Sequence, residues 1–383
     1  MKKNKHTNFY YWTIILMLFA QFSFAQGNDK TSIRTQWMEG NYGLMVHWLA
    51  PNFDGSGKTP LAIKRNYLED LNAAVDAFDL DLFMKEFDKT GAKWLIFTIG
   101  QNTGTYASPN AAIDSLAGPG HTSKRDLVLE IAKAVKQRGK RFIAYLPCEI
   151  KANTTLHEGF GWTTEQGTNQ ATFQENYLKV ICEWSLRFGN LCDGWWFDGC
   201  YDWEYFNNKY FFWDEWYAAA RAGNKNAVIT FNNGSFLTGK MEPVCPEHDY
   251  TSGESLVLIN SKIRAGLKDD SPLFVPEQKY VSGTKCLYHA LLPIDGYWSL
   301  HRSKFPDWAN IPFEYIPPVD SREMPAPIYN DEELTKFVKD FTTPGGAVTL
   351  NVNISQEGYL SEKTIKQMKV LKKAMKRHAY RNL

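Results

Sequence analysis

The chain has 383 residues, of which 44% are apolar and 22% are charged, a balance that excludes collagenous, disordered and all-membrane chains. The formal net charge of +1 gives no general attraction to nucleic acid, and we expect no nucleic-acid partner. Aromatic residues make up 15% of the chain. They serve a packed core, and they also suit a pocket in which rings stack on sugars.

The N-terminus has the pattern of a secretory signal. A basic start with Lys2, Lys3 and Lys5 precedes an apolar stretch from Phe9 to Ala20, and Ser23-Phe24-Ala25 follows with small residues at alternate positions. A transmembrane anchor is the alternative, but the apolar stretch is shorter than the ~20 residues that a span requires. The pattern therefore predicts a signal peptide that is cleaved after Ala25.

We expect residues 1–25 to be the signal and residues 26–383 to be one domain with no membrane span. Removing the signal takes away three lysines and no acidic residue, which changes the formal charge from +1 to −2. The signal is short and begins with lysines, as in bacterial exported proteins. The predicted location is the periplasm or the extracellular space.

The cysteines do not form a metal-binding pattern. Neither a C-x-x-C pair nor a histidine-bearing metal spacing is present, so we expect no metal and no cofactor. A domain of this length buries enough apolar surface without disulfides, and free, mostly buried thiols are predicted. The six are Cys148, Cys182, Cys192, Cys200, Cys245 and Cys286.

Helices and apolar strands alternate along the chain. An amphipathic helix from Asp79 to Thr90 ends at Gly91 and precedes the strand Trp94–Phe97. A second helix, opened by a capping box from Ser123 to Asp126, ends at Gly139 before another strand. Continuous apolar strands separated by helices predict parallel βα repeats.

Eight strands are predicted, and they indicate a (β/α)₈ barrel of the TIM type. An open doubly wound sheet is the alternative, but the first βα connection lacks a G-x-G-x-x-G phosphate loop. The sixth strand is the weakest, and residues 273–275 could replace it. The strands centre on residues 44–46, 95–97, 142–144, 195–197, 228–230, 250–251, 287–289 and 348–350.

The chemistry of such a barrel lies at the carboxyl ends of its strands. Carboxylates, amides and aromatic residues dominate these positions, and a G-x-S-x-G elbow is absent. Paired carboxylates with aromatic platforms are what glycoside hydrolysis uses. The strand-end residues are His47, Trp48, Gln101, Asn102, Cys148, Glu149, Asp198, Asn232, Asn233, Glu254, Asp295, Tyr297, Trp298, Asn351 and Asn353.

Several segments, taken in order, resemble glycoside hydrolase family 29, the α-L-fucosidases. Gly43–Trp48 resembles the family's G-x-F-x-H-W-G motif, with Leu49 in place of the last glycine. Gly194–Gly199 resembles the W-F-D-G motif, which places Asp198 at the family's nucleophile. The R-D segment before the second helix and the closing strand Gly345–Val352 also match. The resemblance implies a barrel that hydrolyses fucosides with retention of configuration.

The chain departs from the family at two points. The family's K-H-H-D-G-F segment is replaced by Thr98–Gly104, so Gln101 and Asn102 stand where histidines would bind fucose. The usual C-terminal β-sandwich is also not expected, since the chain ends soon after the last predicted helix. The sugar is therefore L-fucose or a related one.

Two segments each offer a candidate for the acid/base residue. Asp249–Glu254 resembles the family's D-Y-x-T-P-E stretch, and Pro276-Glu277-Gln278 resembles its P-E-Q segment. We favour Glu254 over Glu277. The resemblance thus predicts Asp198 as nucleophile and Glu254 as acid/base. The residues predicted to bind the sugar are His47, Trp48, Gln101, Asn102, Trp196 and Trp298.

Two interpretations follow, and they belong to different classes. The first is an exported retaining exo-α-glycosidase that removes terminal L-fucose or a related sugar from an oligosaccharide or glycoconjugate. The second is a non-catalytic glycan-binding barrel, which the missing histidines suggest. A second carboxyl group opposite Asp198, from Glu254, Glu277 or Asp295, distinguishes the two. The basic run from Lys363 to Arg381 is interpreted as the solvated face of the last helix, with anionic-polymer binding as a minor alternative.

Overall fold

The computed structural model describes residues 34–50, 68, 70–101, 104–151, 153–165, 168–200, 211–234, 241–245, 247–254, 274–295, 298, 324 and 326–381. All of them belong to the compact unit Arg34–Leu383. The predicted signal peptide and its cleavage site lie outside the described residues. Within the described ranges, no helix is both long enough and apolar enough to cross a bilayer.

A parallel sheet of seven strands forms the centre of the fold, in the order β5-β4-β3-β2-β1-β7-β6. Almost every strand residue is buried, because helices cover the outer face and side chains fill the inner one. The strands are β1 Tyr42–Val46, β2 Trp94–Thr98, β3 Arg141–Pro147, β4 Gly194–Asp198, β5 Val228–Phe231, β6 His289–Pro293 and β7 Ala347–Val352.

A short extended segment, residues 249–254, lies between β5 and β6. On one side, the Asp249 amide donates to the Ile229 carbonyl at 3.1 Å. On the other, Tyr250 and Glu254 form parallel bridges with Leu287 and Leu291. This segment, which we call the seam, takes the eighth position of a TIM-like α/β barrel.

The helices surround the sheet in the predicted alternation. They are α1 Leu71–Asp76, α2 Leu80–Thr90, α3 Ala111–Ala117, α4 Leu127–Gln137, α5 Thr154–Phe160, α6 Ala171–Phe188, α7 Trp213–Arg221, α8 Asp331–Thr342 and α9 Glu362–Arg381.

Two boundaries differ from the sequence prediction. Helix α4 begins after Asp126, whose side chain accepts from the Leu129 amide, and not at Ser123. The predicted strand at 287–289 begins at His289, because Leu287 pairs with the seam ahead of β6. Of the alternative strand at 273–275, residues 274 and 275 are not in a strand, and Leu273 lies outside the described residues.

The interior of the barrel at the level of Gly43 is filled by an indole. A Cβ atom on Gly43 would lie 2.0 Å from Trp94 Nε1, so the first strand needs glycine there. Trp94 Nε1 donates to Thr349 Oγ1 at 2.9 Å, and the Thr349 hydroxyl lies 2.7 Å from His289 Nε2. Burial lowers the pKa of His289 to about 4, which keeps this core histidine neutral.

All six cysteines are free thiols, as predicted, and five of them are buried. Burial raises the pKa of Cys192 to about 12 and that of Cys245 to about 11. Such thiols remain protonated at neutral pH and behave as small apolar side chains.

Candidate active site

The carboxylate of Asp198 lies at the carboxyl end of β4 and accepts hydrogen bonds from three donors. The Gly199 amide and Asn232 Nδ2 donate to Oδ1 at 2.9 and 2.8 Å, and the Tyr145 hydroxyl donates to Oδ2. The side chain is half-buried. Its orientation is therefore set by groups from β3, β4 and the turn after β5.

Tyr145 lies beside Asp198 because β3 and β4 pair in parallel register. Tyr145 pairs with Trp196, and the two rings stack with centroids 5.3 Å apart. Burial, reinforced by the neighbouring Asp198 carboxylate, raises the pKa of Tyr145 well above its ordinary value. The phenol therefore remains a hydrogen-bond donor to Asp198 throughout the neutral range.

Gln101 reaches the same group from β2. Its Nε2 donates to the Tyr145 hydroxyl at 3.1 Å, so the Tyr145 oxygen accepts one hydrogen bond while donating another to Asp198. A chain of hydrogen bonds thus connects the segment after β2 with the carboxylate at the end of β4. Asn102, the other amide predicted to bind sugar, lies outside the described residues.

Glu254 lies across from Asp198, and Asn232 lies between them. Asn232 Nδ2 donates to Glu254 Oε2 at 2.7 Å and to Asp198 Oδ1 at 2.8 Å. The Gly234 amide donates to Asn232 Oδ1 at 3.0 Å, which fixes the direction of the amide group. Asp198 Oδ1 and Glu254 Oε2 are consequently no farther apart than the sum of the two hydrogen-bond lengths from Asn232 Nδ2.

The backbone brings Glu254 to this position through Gly253. Gly253 has φ of +62°, and a Cβ atom there would lie 1.7 Å from the His289 carbonyl oxygen. The seam can approach β6 this closely only because residue 253 has no side chain. Glu254 then bridges to Leu291 and directs its carboxylate toward Asn232.

His47 follows β1 and lies beside Tyr145. Its Nδ1 donates to Asn351 Oδ1 at 2.8 Å, because Asn351 uses its Nδ2 to donate to the Trp298 carbonyl at 2.9 Å. The imidazole packs edge-on against Tyr145 at 4.9 Å and lies 5.7 Å from the Trp298 ring. His47, Tyr145 and Trp298 therefore form one aromatic wall.

Trp298 has an unusual backbone conformation. Its φ is +62°, in the left-handed region that residues other than glycine, asparagine and aspartate seldom adopt. The hydrogen bond from Asn351 to its carbonyl helps to hold it there. Backbone strain of this kind is concentrated at functional sites.

The two predicted tryptophans from β1 and β4 lie deeper in the fold. Trp48 is buried between Phe78 and Phe97, and its Nε1 donates to the Gln356 carbonyl at 2.9 Å, which are the contacts of a core residue. Trp196 is 2% exposed beneath Tyr145, and within the described part of the chain its Nε1 has no acceptor. Trp195 points to the other face, where it stacks on Phe197.

The two other candidate carboxyl groups are positioned differently. Glu277 is exposed, two residues before Lys279, which pairs with Glu39 ahead of β1 at 3.0 Å. It therefore lies at the amino-terminal end of the strands, away from Asp198. Asp295 is buried, and its carboxylate accepts from the Asn353 amide and the Thr364 hydroxyl, both at 2.8 Å. Of the three carboxyl groups considered as partners of Asp198, Glu254 is the one that shares a hydrogen-bond donor with it.

Sequence reasoning did not select Tyr145, Asn232 or Asn351 as site residues. Tyr145 has the sequence signal of an ordinary aromatic residue in an apolar strand. The two asparagines each follow an apolar strand, which marks them as strand-end residues but does not show which way they point. In the described residues, no group of three or more histidine, cysteine, aspartate or glutamate side chains could hold a metal ion.

A TIM-like barrel with two carboxyl groups joined at its strand ends is the arrangement that glycoside hydrolases use. The family model for alpha-L-fucosidase matches residues 11–258. This chain therefore belongs to the alpha-L-fucosidase family. No curated protein matches it by sequence.

Solved structures share the fold at low sequence identity. The endo-fucoidan hydrolase P5AFcnA of glycoside hydrolase family 107 is similar with a TM-score of 0.60 and 15% identity, covering 91% of this chain and 94% of that one. The endo-fucoidan hydrolase MfFcnA4 gives 0.60 and 16%, covering 90% of this chain and 54% of that one. A bacterial fucosidase crystallised with a monovalent iminocyclitol inhibitor gives 0.57 and 15%, covering 93% and 76%.

Proposed function

We propose that this glycosidase is a retaining exo-α-L-fucosidase that removes terminal L-fucose, or a closely related sugar, from a glycan. The observation that carries the proposal is the bridge formed by Asn232 between Asp198 and Glu254. Retaining enzymes hold their two carboxyl groups ~5–5.5 Å apart, whereas inverting enzymes leave ~6.5–9.5 Å for a water molecule. Because one nitrogen, Asn232 Nδ2, donates to both groups, Asp198 Oδ1 and Glu254 Oε2 lie closer together than the separation typical of inverting enzymes.

In this mechanism Asp198 attacks the anomeric carbon while Glu254 protonates the departing glycosidic oxygen. The bond from Asp198 to the sugar forms as the bond to the leaving oxygen breaks. Glu254, now ionised, then takes a proton from water, which attacks the same carbon and releases Asp198. Hydrogen bonds from Tyr145 and Asn232 orient the attacking carboxylate, and this prior orientation lowers the entropic part of the barrier.

The sugar-binding wall fits a deoxyhexose. His47 is oriented by Asn351 through Nδ1, and an imidazole at this position can exchange hydrogen bonds with a sugar hydroxyl. Trp298 adds apolar surface beside it, and such surface packs against the methyl group and the C–H face of a sugar. Gln101 contributes an amide that does not titrate.

The test uses an aryl α-L-fucoside with the full chain, Asp198→Ala and Glu254→Gln. Both variants are expected to lose turnover by orders of magnitude. Glu277→Gln is the matched control, and it is expected to retain wild-type turnover. Sodium azide should partly restore aryl release in Asp198→Ala and yield a fucosyl azide of inverted configuration. Wild-type activity in Asp198→Ala, or an inverted sugar as the wild-type product, would overturn the proposal.

Cleavage inside a fucose-containing polymer is a second candidate activity. Its support is the likeness to P5AFcnA over 94% of that chain, together with the replacement of the family's two sugar-binding histidines by Gln101 and Asn102. Product size separates the two activities, because an exo-enzyme releases monosaccharide from the start, whereas an endo-enzyme first produces a ladder of oligosaccharides. A glycan-binding barrel without turnover is disfavoured, because a second carboxylate faces Asp198.

We also propose that the enzyme is exported and that residues 1–25 are removed. The support is the order of the basic start, the apolar stretch and the small residues before Gln26. N-terminal sequencing of the protein recovered from the periplasm or medium of an expressing bacterium is expected to begin at Gln26. Recovery of the uncleaved chain in the cytosol would contradict this.

A further inference from the structure

Helix α9 carries a concentration of positive charge that the active site does not use. Between residues 362 and 377 it has seven basic residues and one acidic residue, in a chain whose formal net charge is only +1. Lys369, Lys372, Lys373 and Lys376 are spaced along one exposed face. With Asp88 and Lys89 from the end of α2, they line a groove of about 550 Å³.

Asp88, the acidic residue in this groove, forms its ion pairs with two basic residues that do not line the groove. Asp88 pairs with Arg138 at 2.9 Å and with Lys140 at 3.3 Å. Lys372 donates to the Asp88 backbone carbonyl at 3.1 Å. Burial lowers the pKa of Lys140, and the positive charges of Lys372 and Lys93 add to this effect. The groove therefore has an excess of positive charge.

This arrangement does not serve the stability of the helix. Like charges three or four positions apart on a helix destabilise it by ~0.2–0.5 kcal/mol a pair. Lys369 and Lys373 form one such pair, and Lys372 and Lys376 form another. A bound polyanion would neutralise this repulsion and release the counterions that otherwise gather there.

The groove does not suit a membrane surface. A helix that binds a bilayer inserts its apolar face among the lipids. The apolar face of α9, formed by Ile365, Met368 and Leu371, is buried against the barrel. What remains exposed is an open groove bordered by lysines of α9 and by Lys89 of α2, which fits an extended anionic chain.

We propose that this groove binds an anionic polysaccharide, one that carries sulfate or carboxylate groups. Asp88 and Lys89 lie at the end of α2, just before β2 begins, so the groove is at the opposite end of the barrel from Asp198. It would hold the enzyme on a charged glycan while the catalytic face remains open. This surface is separate from the proposed active site, and its test does not depend on turnover.

Binding of size-selected dextran sulfate to the full chain is measured by titration calorimetry at several salt concentrations, with neutral dextran of equal length as the uncharged control. The double variant Lys369→Glu with Lys373→Glu reverses two charges in the groove. The matched control, Lys133→Glu with Lys225→Glu, makes the same change in net charge at exposed lysines elsewhere.

The wild type is expected to bind dextran sulfate but not dextran, with an affinity that falls as salt rises. The groove variant should bind at least about tenfold more weakly, which is about 1.4 kcal/mol, while the control variant stays within about twofold. Both variants should retain the wild-type melting temperature and aryl-glycoside turnover. Equal weakening in both variants, no binding by the wild type, or tighter binding to anionic phospholipid vesicles or duplex DNA would overturn the proposal.

Discussion

Asp198 and Glu254 share one hydrogen-bond donor, the side-chain nitrogen of Asn232. Their carboxylates come from β4 and the seam, which are not neighbours in the sheet, and Asn232 follows the strand between them. One amide therefore sets the distance between the two groups that the proposed reaction requires, and it directs an N–H bond at each of them.

Replacing Asn232 by alanine should reduce turnover while leaving the fold intact. A hydrogen bond to a charged group is worth ~1.5–3 kcal/mol, and the loss corresponds to roughly a 10- to 100-fold fall in kcat/KM on an aryl α-L-fucoside. Asn176→Ala is the control, since Asn176 lies on α6 and donates to the Phe160 carbonyl, not to a carboxylate of the site. Equal activity in the two variants would show that the bridge has no catalytic role.

Gln101 and Tyr145 are expected to act as one unit. Gln101 donates to the Tyr145 hydroxyl, which in turn donates to Asp198. Tyr145→Phe should lower kcat by about tenfold or more, and Gln101→Ala should lower it by a smaller factor. In the double variant the effect of Gln101→Ala should largely disappear, because coupled residues are not additive. Full additivity would instead indicate that Gln101 contacts the sugar independently of Tyr145.

Asn351 should influence sugar binding through His47. The Asn351 amide holds His47 Nδ1 and the Trp298 carbonyl at the same time. Asn351→Ala and His47→Ala are each expected to weaken binding of a fucose-configured iminosugar by about tenfold, measured by calorimetry. If the iminosugar binds Asn351→Ala as tightly as it binds the wild type, the asparagine serves packing alone.

The Asp295 carboxyl group should make stability depend on pH in a recognisable direction. Burial raises its pKa to about 7, whereas an unfolded aspartate titrates near ~3.9. A raised pKa means that the folded protein favours the protonated form. The contribution of this group to the unfolding free energy is then fully present below pH ~4 and is lost as pH rises through about 7.

Asp295→Asn removes this dependence, because the amide is neutral at every pH and its oxygen can still accept from the Asn353 amide. Urea unfolding of both proteins between pH 4 and 8 isolates the effect, since other groups cancel in the difference. Relative to the variant, the wild type should lose stability as pH rises, by about 1.4 kcal/mol for each unit by which the pKa is raised. A difference independent of pH would contradict the raised pKa.

The sequence was sufficient for the barrel because its strands are continuous apolar runs separated by capped helices. Asp198 and His47 could be found because each directly follows such a run. Glu254 needed the family resemblance, since the seam is short and polar. The role of Asn232 could not be foreseen, because it depends on how β5 lies beside the seam. Tyr145 could not be distinguished by sequence from an aromatic residue of the core.

The seam is joined unequally to its two neighbours. Thr251 and His289 exchange several hydrogen bonds on the β6 side. On the β5 side, the contacts include one backbone hydrogen bond from Asp249, side-chain contacts of Asp249 and Ser252, and the Asn232–Glu254 bond. Separation at this joint would carry the proton donor away from the nucleophile while the remaining strands stay paired. Rising urea is therefore expected to abolish turnover at a lower concentration than it abolishes helical circular dichroism, so that enzymatic activity reports the integrity of a single joint in the barrel wall.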